Sequence, residues 1–458
     1  MNAPAKPVMA APEKPLWRTF AAFLGPLMLS NILQSLSGTL NNIFLGQMVG
    51  VHALAAASGF FPIVFFFISF VMGLGAGSTV LIGQAWGARN LDKVQAVAGA
   101  TLSAALLTAV VIGGLGIVFA REIMIVLATP AAILDQAVLY GRVMMLGMPA
   151  LFLFILSTSM MRGVGDTITP LRVLVVTTLI GLVLTPALIK GWIGLAPMGA
   201  EAAAWASMGS QVVAMIWLGY YLIKKGHPLA PTREFLRHMK PDPALLKLVL
   251  KMGLPTAVQM VIMSLAEIAL LGLANGYGPE ATAAYGAVNQ VLAYVQFPAM
   301  SISITASILA AHAIGAGDMH RVNQVTRAGL MMNLVITGAL VVLCYVFSRL
   351  IIEAFITSAP VVDLTQGLLH IVLWACVFFG MAGVFSAVMR ASGTVIEPTA
   401  LMITAILAVE LPVAWLLSHS IGIAGVWWGY PAAFCAMFLL QSSYYTLIWR
   451  KKEIKRLV

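Results

Sequence analysis

Two glutamates lie inside otherwise apolar stretches of this 458-residue chain. Glu267 occurs in SLAEIALLGL (264–273) and Glu410 in ILAVELPVAW (406–415), although only 9% of the residues are charged. An ionised carboxylate is costly to bury in hydrocarbon unless it binds a cation or faces water. We therefore interpret Glu267 and Glu410 as candidate cation-coupling residues that exchange H⁺ or bind Na⁺ as a metal site. The alternative is that each is a neutral, structural glutamate bonded to a backbone carbonyl group.

The rest of the sequence indicates the elements that position these two residues. With 61% hydrophobic residues and a mean hydropathy of +0.97, the chain is too apolar for a soluble protein of this length. Its apolar runs are long and continuous, which predicts transmembrane helices rather than a β-barrel. Twelve helices are expected, at 18–46, 53–84, 95–120, 136–161, 169–190, 199–223, 246–275, 281–313, 324–348, 364–389, 398–418 and 422–448.

The two glutamates are expected at the same depth in the membrane. They lie about nine and about eight residues before the outer ends of the seventh and eleventh helices, which at ~1.5 Å per residue is roughly 12–13 Å below the outer boundary. No lysine or arginine is expected at that depth in the same half of the chain. Equal depth would allow the two carboxyl groups to share one site.

The formal net charge of +10 could indicate nucleic-acid binding, but the distribution of the charges argues against it. If the N-terminus is cytoplasmic, all but four Lys and Arg residues fall on the cytoplasmic side, Arg162 and Arg390 among them. The four outer ones are Arg121, Arg142, Lys190 and Arg349. This pattern follows the positive-inside rule. It predicts a multi-pass protein of the cytoplasmic (inner) membrane, in contact with lipid, with both termini cytoplasmic and no nucleic-acid partner.

The sequence repeats itself at an offset of about 228 residues. GQAWGARNLDKVQAV (83–97) aligns with AHAIGAGDMHRVNQV (311–325), and MRGVGDTITP (161–170) aligns with MRASGTVIEP (389–398). Six helices per repeat give both halves the same orientation, so the repeat is parallel and its pseudo-two-fold axis runs along the membrane normal. We predict an all-α integral membrane protein of twelve transmembrane helices, in which two six-helix bundles enclose a cleft.

The repeat divides the chain into five segments. They are a disordered cytoplasmic tail (1–15), an N-lobe of helices one to six (16–224), a cytoplasmic linker (225–244), a C-lobe of helices seven to twelve (245–450) and a basic cytoplasmic tail (451–458). The first segment lacks the apolar core of a signal peptide. A duplicated monomer favours a transporter over an ion channel, because channels more often gather several subunits around a filter. Neither HExxH nor GxSxG occurs, so we expect no enzyme.

The segment GLGAGSTVLIGQAWGARN (73–90) resembles the second-helix signature of the multidrug and toxic compound extrusion (MATE) family. PLMLSNILQSLSGTLNNIFLGQMVG (26–50) resembles the opening helix of that family, and RGVGDTITP and RASGTVIEP resemble two of its linkers. The resemblance covers essentially the whole chain. It implies a cation-coupled exporter with a V-shaped central cavity and no ATP site, and no GxxxxGK[ST] motif occurs in the chain.

The sequence departs from the family at two positions. Many bacterial members place an aspartate in the first helix where this chain has Asn41, which cannot take up a proton. The commoner glutamate of the seventh helix falls at Met263, and Glu267 follows one turn later on the same face. Our candidate substrate-binding or cavity-lining residues are Asn31, Gln34, Asn41, Asn42, Met263, Asn289, Gln290, Tyr294 and Gln296. Helix–helix hydrogen bonding is the alternative role for the asparagines and glutamines.

We therefore predict a secondary active antiporter that exports small organic solutes, cationic or amphiphilic, in exchange for H⁺ or Na⁺. Alternating access of the two lobes would move substrate and ion in opposite directions. We expect a monomer with no cofactor other than the coupling ion. The alternative is a related flippase-type transporter for lipid-linked or other specific metabolite substrates.

Overall fold

The structure, a computed structural model, describes residues 15–127, 129–194, 196–239, 242–354, 356 and 358–458, and it describes their side chains except at Val51 and Ile193. The predicted tail 1–15 therefore lies outside the described residues apart from Pro15. The described chain forms helices and turns, and twelve spans are long and apolar enough to cross a membrane. They are α1 (Leu16–Val49), α2 (His52–Gly87), α3 (Leu91–Val118), α4 (Ala131–Leu146 with Met148–Gly163), α5 (Ile168–Lys190), α6 (Glu201–Lys225), α7 (Pro243–Asn275), α8 (Pro279–Ala316), α9 (Met319–Val346), α10 (Ala359–Ala391), α11 (Ile396–Ile421) and α12 (Ile423–Lys451). The predicted number of spans and the all-α fold are confirmed.

The internal repeat is visible in the residues that begin and end helices. Asn90 caps α3 by accepting a hydrogen bond from the backbone N–H of Lys93, and Asp318, 228 residues later, caps α9 in the same way. The loops after α4 and α10 both turn at a glycine with positive φ, Gly165 at +89° and Gly393 at +91°. The two halves therefore use the same local signals to place equivalent helices.

The fourth helix of the first repeat differs from the sequence-based expectation, which treated 136–161 as one straight span. The α4 helix bends by 49° between Leu146 and Met148. Gly147 lies at the bend and Pro149 follows it, and a proline cannot donate the backbone hydrogen bond that would continue a straight helix. A 3₁₀ turn, Leu373–Ala375, interrupts α10 at the equivalent place.

The two repeats form two lobes, each with its own apolar core. We call the end of the bundle that carries Leu16, Gly87, Lys225 and Lys451 the basic side, and the other end the opposite side. On the basic half the lobes are in close contact, because α2 packs against α7 and α8. The outer half of α1, residues 31–44, contains no fully buried residue. The close packing between the lobes is therefore concentrated on the basic half.

A seam of cross-lobe contacts closes the basic side, and it follows the pseudo-two-fold symmetry. The Gln84 Nε2 group of the N-lobe donates to the carbonyl oxygen of Ala391 at 2.7 Å, and His312 Nε2 of the C-lobe bonds the carbonyl oxygen of Gly163, also at 2.7 Å. Gln84 and His312 are 228 residues apart, as are Gly163 and Ala391. Each repeat thus contributes one donor and one acceptor to the same junction.

Two glycines allow the helices at this seam to touch. A Cβ atom on Gly87 would come within 2.1 Å of the His312 carbonyl oxygen, and one on Gly315 would come within 1.9 Å of the Gln84 carbonyl oxygen. Both distances are far below van der Waals contact, so the present backbone approach requires glycine at both positions.

The last described residues return to the same seam. The backbone N–H of Leu457 donates to Gln84 Oε1 at 2.8 Å. Its half-buried side chain packs against Val80, Met252 and Val395, which come from both lobes. The segment after α12 therefore bridges the two lobes on the basic side.

Candidate functional site

Glu267 lies on α7 close to the start of the next helix. The Tyr285 hydroxyl group, on α8, donates to the backbone carbonyl oxygen of Glu267 at 3.3 Å. The two helices are joined by a short connection around Gly278, whose φ is +98°, so α8 returns directly along α7. The Glu267 side chain is exposed, whereas Tyr285 is buried. The hairpin thus places one accessible carboxyl group beside a buried phenol.

Glu410 is buried, with 6% of its surface exposed, and ends a π-helical turn, Ile406–Glu410. Pro412 lies just after this turn and cannot supply the backbone donor that a regular α-helix needs there. Single π-turns within α-helices are frequent at functional sites. Gly429 allows α12 to approach this turn, since a Cβ atom there would lie 2.9 Å from the Glu410 carbonyl oxygen.

Two tyrosines and a tryptophan pack between the Glu267 backbone and the Glu410 turn. The hydroxyl groups of Tyr285 and Tyr430 are 3.0 Å apart. The Trp427 ring lies between these residues, with centroids 5.0 Å from Tyr285 and 5.3 Å from Tyr430. All three side chains are buried. They form an aromatic wall, in which the Tyr285 hydroxyl group bonds both Tyr430 and the Glu267 backbone.

The Tyr285 hydroxyl group joins the Glu267 backbone to Tyr430, and α12 packs against the Glu410 turn at Gly429, next to Tyr430. The structure therefore brings the turns of the two sequence-predicted glutamates together in the C-lobe. Asn289 lies one turn after Tyr285 on α8 and is half-buried. Carboxylate, phenol and amide oxygens are hard ligands that suit H⁺ or a hard cation such as Na⁺.

The polar residues predicted in the first helix are divided between two environments. Asn31 Nδ2 donates to Ser301 Oγ of α8 at 3.1 Å, and the Thr185 hydroxyl group donates to Asn41 Oδ1 at 3.2 Å. Gln34 and Asn42 are exposed on the outer half of α1. Asn31 and Asn41 thus make helix–helix hydrogen bonds, whereas Gln34 and Asn42 have exposed side chains.

The remaining predicted residues surround the site at different distances. Met263, one turn before Glu267, lies with its sulfur 3.8 Å from Gln259 Nε2. Gln290 and Gln296 are half-buried on α8. Tyr294 is 43% exposed and lines an apolar cavity of about 350 Å³ between α1 and helices α8 and α9. Tyr294 therefore belongs to an apolar surface between the lobes.

Arg162 and Arg390, which the sequence analysis placed among the cytoplasmic charges, have half-buried side chains at the basic ends of their spans. Arg390 donates to Ser386 Oγ at 2.8 and 3.1 Å and to Thr256 Oγ1 at 3.3 Å. The Nε atom of Arg162 is buried without a hydrogen-bond partner among the described residues. Their position at the ends of spans concealed that the side chains turn inward.

Sequence reasoning missed Tyr285, Trp427 and Tyr430. Tyr285 begins the stretch YGAVNQVLAYVQFPAMS and lies one turn before Asn289, which was selected. The signal that could have identified Tyr285 was its position, because it is a polar aromatic residue in an apolar span, one helical turn from the selected Asn289. Trp427 and Tyr430 gave no such signal, because only the packing of α12 against α8 brings them to the site.

Comparisons with known proteins agree with the repeat. The MatE family model matches residues 26–187 and 255–416, one copy in each lobe. The chain is 44% identical to the probable multidrug resistance protein YoeA of Bacillus subtilis, over 97% of this chain and 96% of the relative. It is 27% identical to the probable multidrug resistance protein YpnP of the same organism, over 91% and 93%.

The fold is likewise shared with solved structures. A crystal structure of MATE in complex with MaL6 superposes with a TM-score of 0.86 at 22% identity, covering 95% of this chain and 97% of that chain. Two copies of the family model and a full-length relative at 44% identity show the family. The chain therefore belongs to the MatE family of membrane transporters.

Proposed function

We propose that the chain is a secondary active antiporter, which exports organic compounds across the cytoplasmic membrane in exchange for H⁺ or Na⁺. The observation that carries this proposal is the pair Glu267 and Glu410, two carboxyl groups whose turns meet in an otherwise apolar lobe. Ionisable groups at such depth mark ion pathways. The names of the two relatives, both probable multidrug resistance proteins, support organic compounds as the cargo.

The proposed cycle uses the cleft and the seam. With the basic side facing the cytoplasm, the seam would close the cytoplasmic side in this state. Glu267, the exposed member of the pair, would receive the external cation, and the buried Glu410 would share it through the Tyr285–Tyr430 pair. A loaded, neutral site lowers the cost of closing the outer cleft over it. The seam then opens, the cation leaves inward and an organic solute enters from the cytoplasm.

The energetic requirement is modest. One elementary charge moving down a potential of 100 mV supplies about 2.3 kcal/mol, which corresponds to a concentration ratio of roughly fiftyfold at equilibrium. The apolar side chains around the 350 Å³ cavity, among them Met28, Ile32 and Phe297, suit an amphiphilic solute. We assign the working unit as a monomer, because one chain supplies both lobes.

The flippase-type alternative is less well supported. A carrier of phosphate-bearing lipids needs positive charge on the cleft surface. Arg162 and Arg390 are half-buried, and Arg390 donates its hydrogen bonds to Ser386 and Thr256 of its own lobe.

The test is gradient-driven transport in liposomes containing purified protein. Uptake of a fluorescent organic cation is measured under an imposed pH gradient and, separately, under a sodium gradient. We expect one gradient to drive uptake by the wild type and Glu267→Gln to abolish it, since glutamine keeps the size of the side chain but neither ionises nor binds a cation by charge. Uptake by Glu267→Gln at the wild-type rate would contradict the assignment.

A further inference from the structure

Arg390 carries a permanent positive charge inside the C-lobe. Its donors reach neutral groups: Ser386 and Thr256, and the Met402 sulfur at 3.9 Å. Among the described residues, no carboxylate forms a hydrogen bond or salt bridge with Arg390. Because a guanidinium group stays protonated even when buried, this charge must be balanced at longer range.

The carboxylates of the site lie directly above Arg390. Thr256 precedes Glu267 by eleven residues on α7, and at 100° per residue this spacing brings both onto the same face. Met402 precedes Glu410 by eight residues, but the intervening π-turn takes up one extra residue, so these two also share a face. Along the helices the separations correspond to about 12–16 Å. Arg390 therefore faces the pair from the basic side.

Three buried oxygen atoms lie near the turn of α11 that Arg390 contacts through Met402. Gln259 Oε1, Thr399 Oγ1 and Gln441 Oε1 are buried and have no hydrogen-bond partner among the described residues. Gln259 Nε2 is 3.3 Å from the Met402 sulfur, and Gln441 Nε2 donates to the Pro398 carbonyl oxygen at 2.7 Å. All three oxygens therefore flank one turn of α11, 398–402.

We propose that Arg390 is a positioning residue for cation coupling, whose fixed charge stabilises the ionised, cation-free form of the Glu267–Glu410 pair. This inference rests on the proposed function. It means that Arg390 helps to set the pH or the sodium concentration at which the Glu267–Glu410 pair binds its cation. A unit charge at about 12–16 Å changes an ionisation or cation-binding equilibrium about three- to tenfold when the effective dielectric constant is about 20–40. The site therefore releases its cation more readily than the carboxylates would alone.

The other titratable groups around this interior do not replace Arg390. The phenols Tyr285 and Tyr430 and the thiols of the three cysteines are neutral near pH 7. At the opposite side His370 Nε2 bonds Ser348 Oγ at 3.0 Å, and at the basic side Glu397 pairs with Lys452 at 3.4 Å. The groups on the surrounding helices are Lys247, Lys251 and Glu267 on α7, Glu280, Tyr285, Tyr294 and His312 on α8, His320, Arg321, Arg327, Cys344 and Tyr345 on α9, Asp363, His370 and Cys376 on α10, Glu397, Glu410 and His419 on α11, and Tyr430, Cys435, Tyr444, Tyr445, Arg450 and Lys451 on α12.

The repeat supplies a matched control. Arg162 occupies the equivalent place in the N-lobe, 228 residues earlier, and is also half-buried. The N-lobe positions equivalent to Glu267 and Glu410 are Gly38 and Leu182. Removing Arg162 therefore removes a half-buried guanidinium group without removing a charge that faces the carboxylate pair.

The experiment measures gradient-driven uptake in liposomes as a function of external pH and of sodium concentration. The variants are Arg390→Gln, Arg390→Lys, Arg162→Gln and Glu267→Gln. For Arg390→Gln we expect the pH midpoint to rise by about 0.5–1 unit, or the half-saturating sodium concentration to fall about three- to tenfold, because the lost charge opposed proton and cation binding. Arg390→Lys should keep the wild-type value, and Arg162→Gln should not shift it.

Each outcome separates the two proposals. If Glu267→Gln still couples, the proposed function is wrong. If Glu267→Gln is uncoupled but Arg390→Gln keeps the wild-type midpoint, only the role of Arg390 is wrong. An equal shift for Arg162→Gln would also overturn that role, since the effect would then be structural. Should Arg390→Gln fail to fold, Thr256→Glu neutralises the guanidinium group by pairing with it and should shift the midpoint in the same direction.

Discussion

The two lobes share their framework and differ in their interiors. Equivalent ion pairs join the same helices at the opposite side, Arg121 with Asp135 at 2.9 Å and Arg349 with Asp363 at 3.0 Å. Equivalent caps begin α3 and α9, and the seam uses one donor from each repeat. The residues that cap helices, pair at the opposite side and join the lobes therefore occur in both repeats.

The chemistry of the candidate site occurs once. Gly38 and Leu182 stand in the N-lobe where the C-lobe has Glu267 and Glu410. The aromatic wall of Tyr285, Trp427 and Tyr430 likewise belongs to the C-lobe. A duplicated fold can thus keep both halves structurally competent while one half alone carries the ionisable groups. The following predictions test this division, from the largest expected effect to the smallest.

The strongest test compares an acid of the C-lobe with an amide of the N-lobe. We expect Glu410→Gln to lower gradient-driven uptake at least about tenfold, equivalent to about 1.4 kcal/mol or more, because the buried partner of the cation site is lost. Asn41→Ala should change uptake by less than about twofold. Initial rates in liposomes at equal protein content measure both. A larger loss in Asn41→Ala would place coupling in the N-lobe and end the proposed asymmetry.

An added methyl group should destabilise the protein more at the seam than on an exposed helix surface. Gly315→Ala places a methyl group where the Gln84 carbonyl oxygen lies, so we expect destabilisation by about 1–3 kcal/mol. Gly338→Ala on α9 is the matched control, because no atom lies within 4 Å of its new methyl group. The control should be neutral or stabilising by about 0.5–1 kcal/mol through helix propensity. Apparent Tm in detergent distinguishes the two, and equal values would contradict a close seam.

The symmetry of the seam predicts one tolerated exchange. His312→Gln installs in the C-lobe the side chain that Gln84 already provides in the N-lobe, so the hydrogen bond to Gly163 should be retained. We expect a stability change within about 0.5 kcal/mol. His312→Leu, which cannot donate, leaves the Gly163 carbonyl oxygen without its cross-lobe donor and should cost about 1–3 kcal/mol. Unfolding of both variants in detergent provides the measurement.

The smallest effect concerns His227, in the linker after α6. Burial lowers the pKa of His227, and Lys225 adds to this effect while the Asp166 carboxylate opposes it. The unfolded chain therefore binds this proton more readily, so the stability due to neutral His227 is present above about pH 6.5 and is lost as pH falls through the pKa of the folded protein.

His227→Asn should accordingly reduce the loss of Tm between pH 7.5 and pH 5.5, on the order of 1 °C. The repeat equivalent, Lys455, has an exposed side chain, and Lys455→Asn serves as the control. An unchanged pH dependence in His227→Asn would show that other groups determine it.

The span pattern, the parallel repeat and the family could be obtained from sequence because each depends on many residues. Twelve apolar runs, and the same motifs in the same order in both halves, give a consistent prediction even where single residues are ambiguous. The equal depth of Glu267 and Glu410 was also accessible, since rise per residue converts sequence position into height. The structure brings their helical turns together, and their role in coupling remains a prediction.

The parts that sequence did not reveal depend on side-chain direction. Arg390 lies at the end of α10, where a basic residue ordinarily extends into water, yet its guanidinium group reaches inward to Thr256. Tyr430 contributes to the site because Gly429 brings α12 against the π-turn of α11. Neither the inward rotamer nor the interhelical distance can be read from hydropathy.

The bond between Leu457 and Gln84 joins residues 373 positions apart. During synthesis the N-terminal helices, including α2, would be in the membrane long before Leu457 leaves the ribosome. Each lobe can therefore assemble from neighbouring helices as they emerge, whereas this joint must wait for almost the whole chain. Release of a nascent chain before residue 457 should leave two folded lobes whose junction lacks its last hydrogen bond.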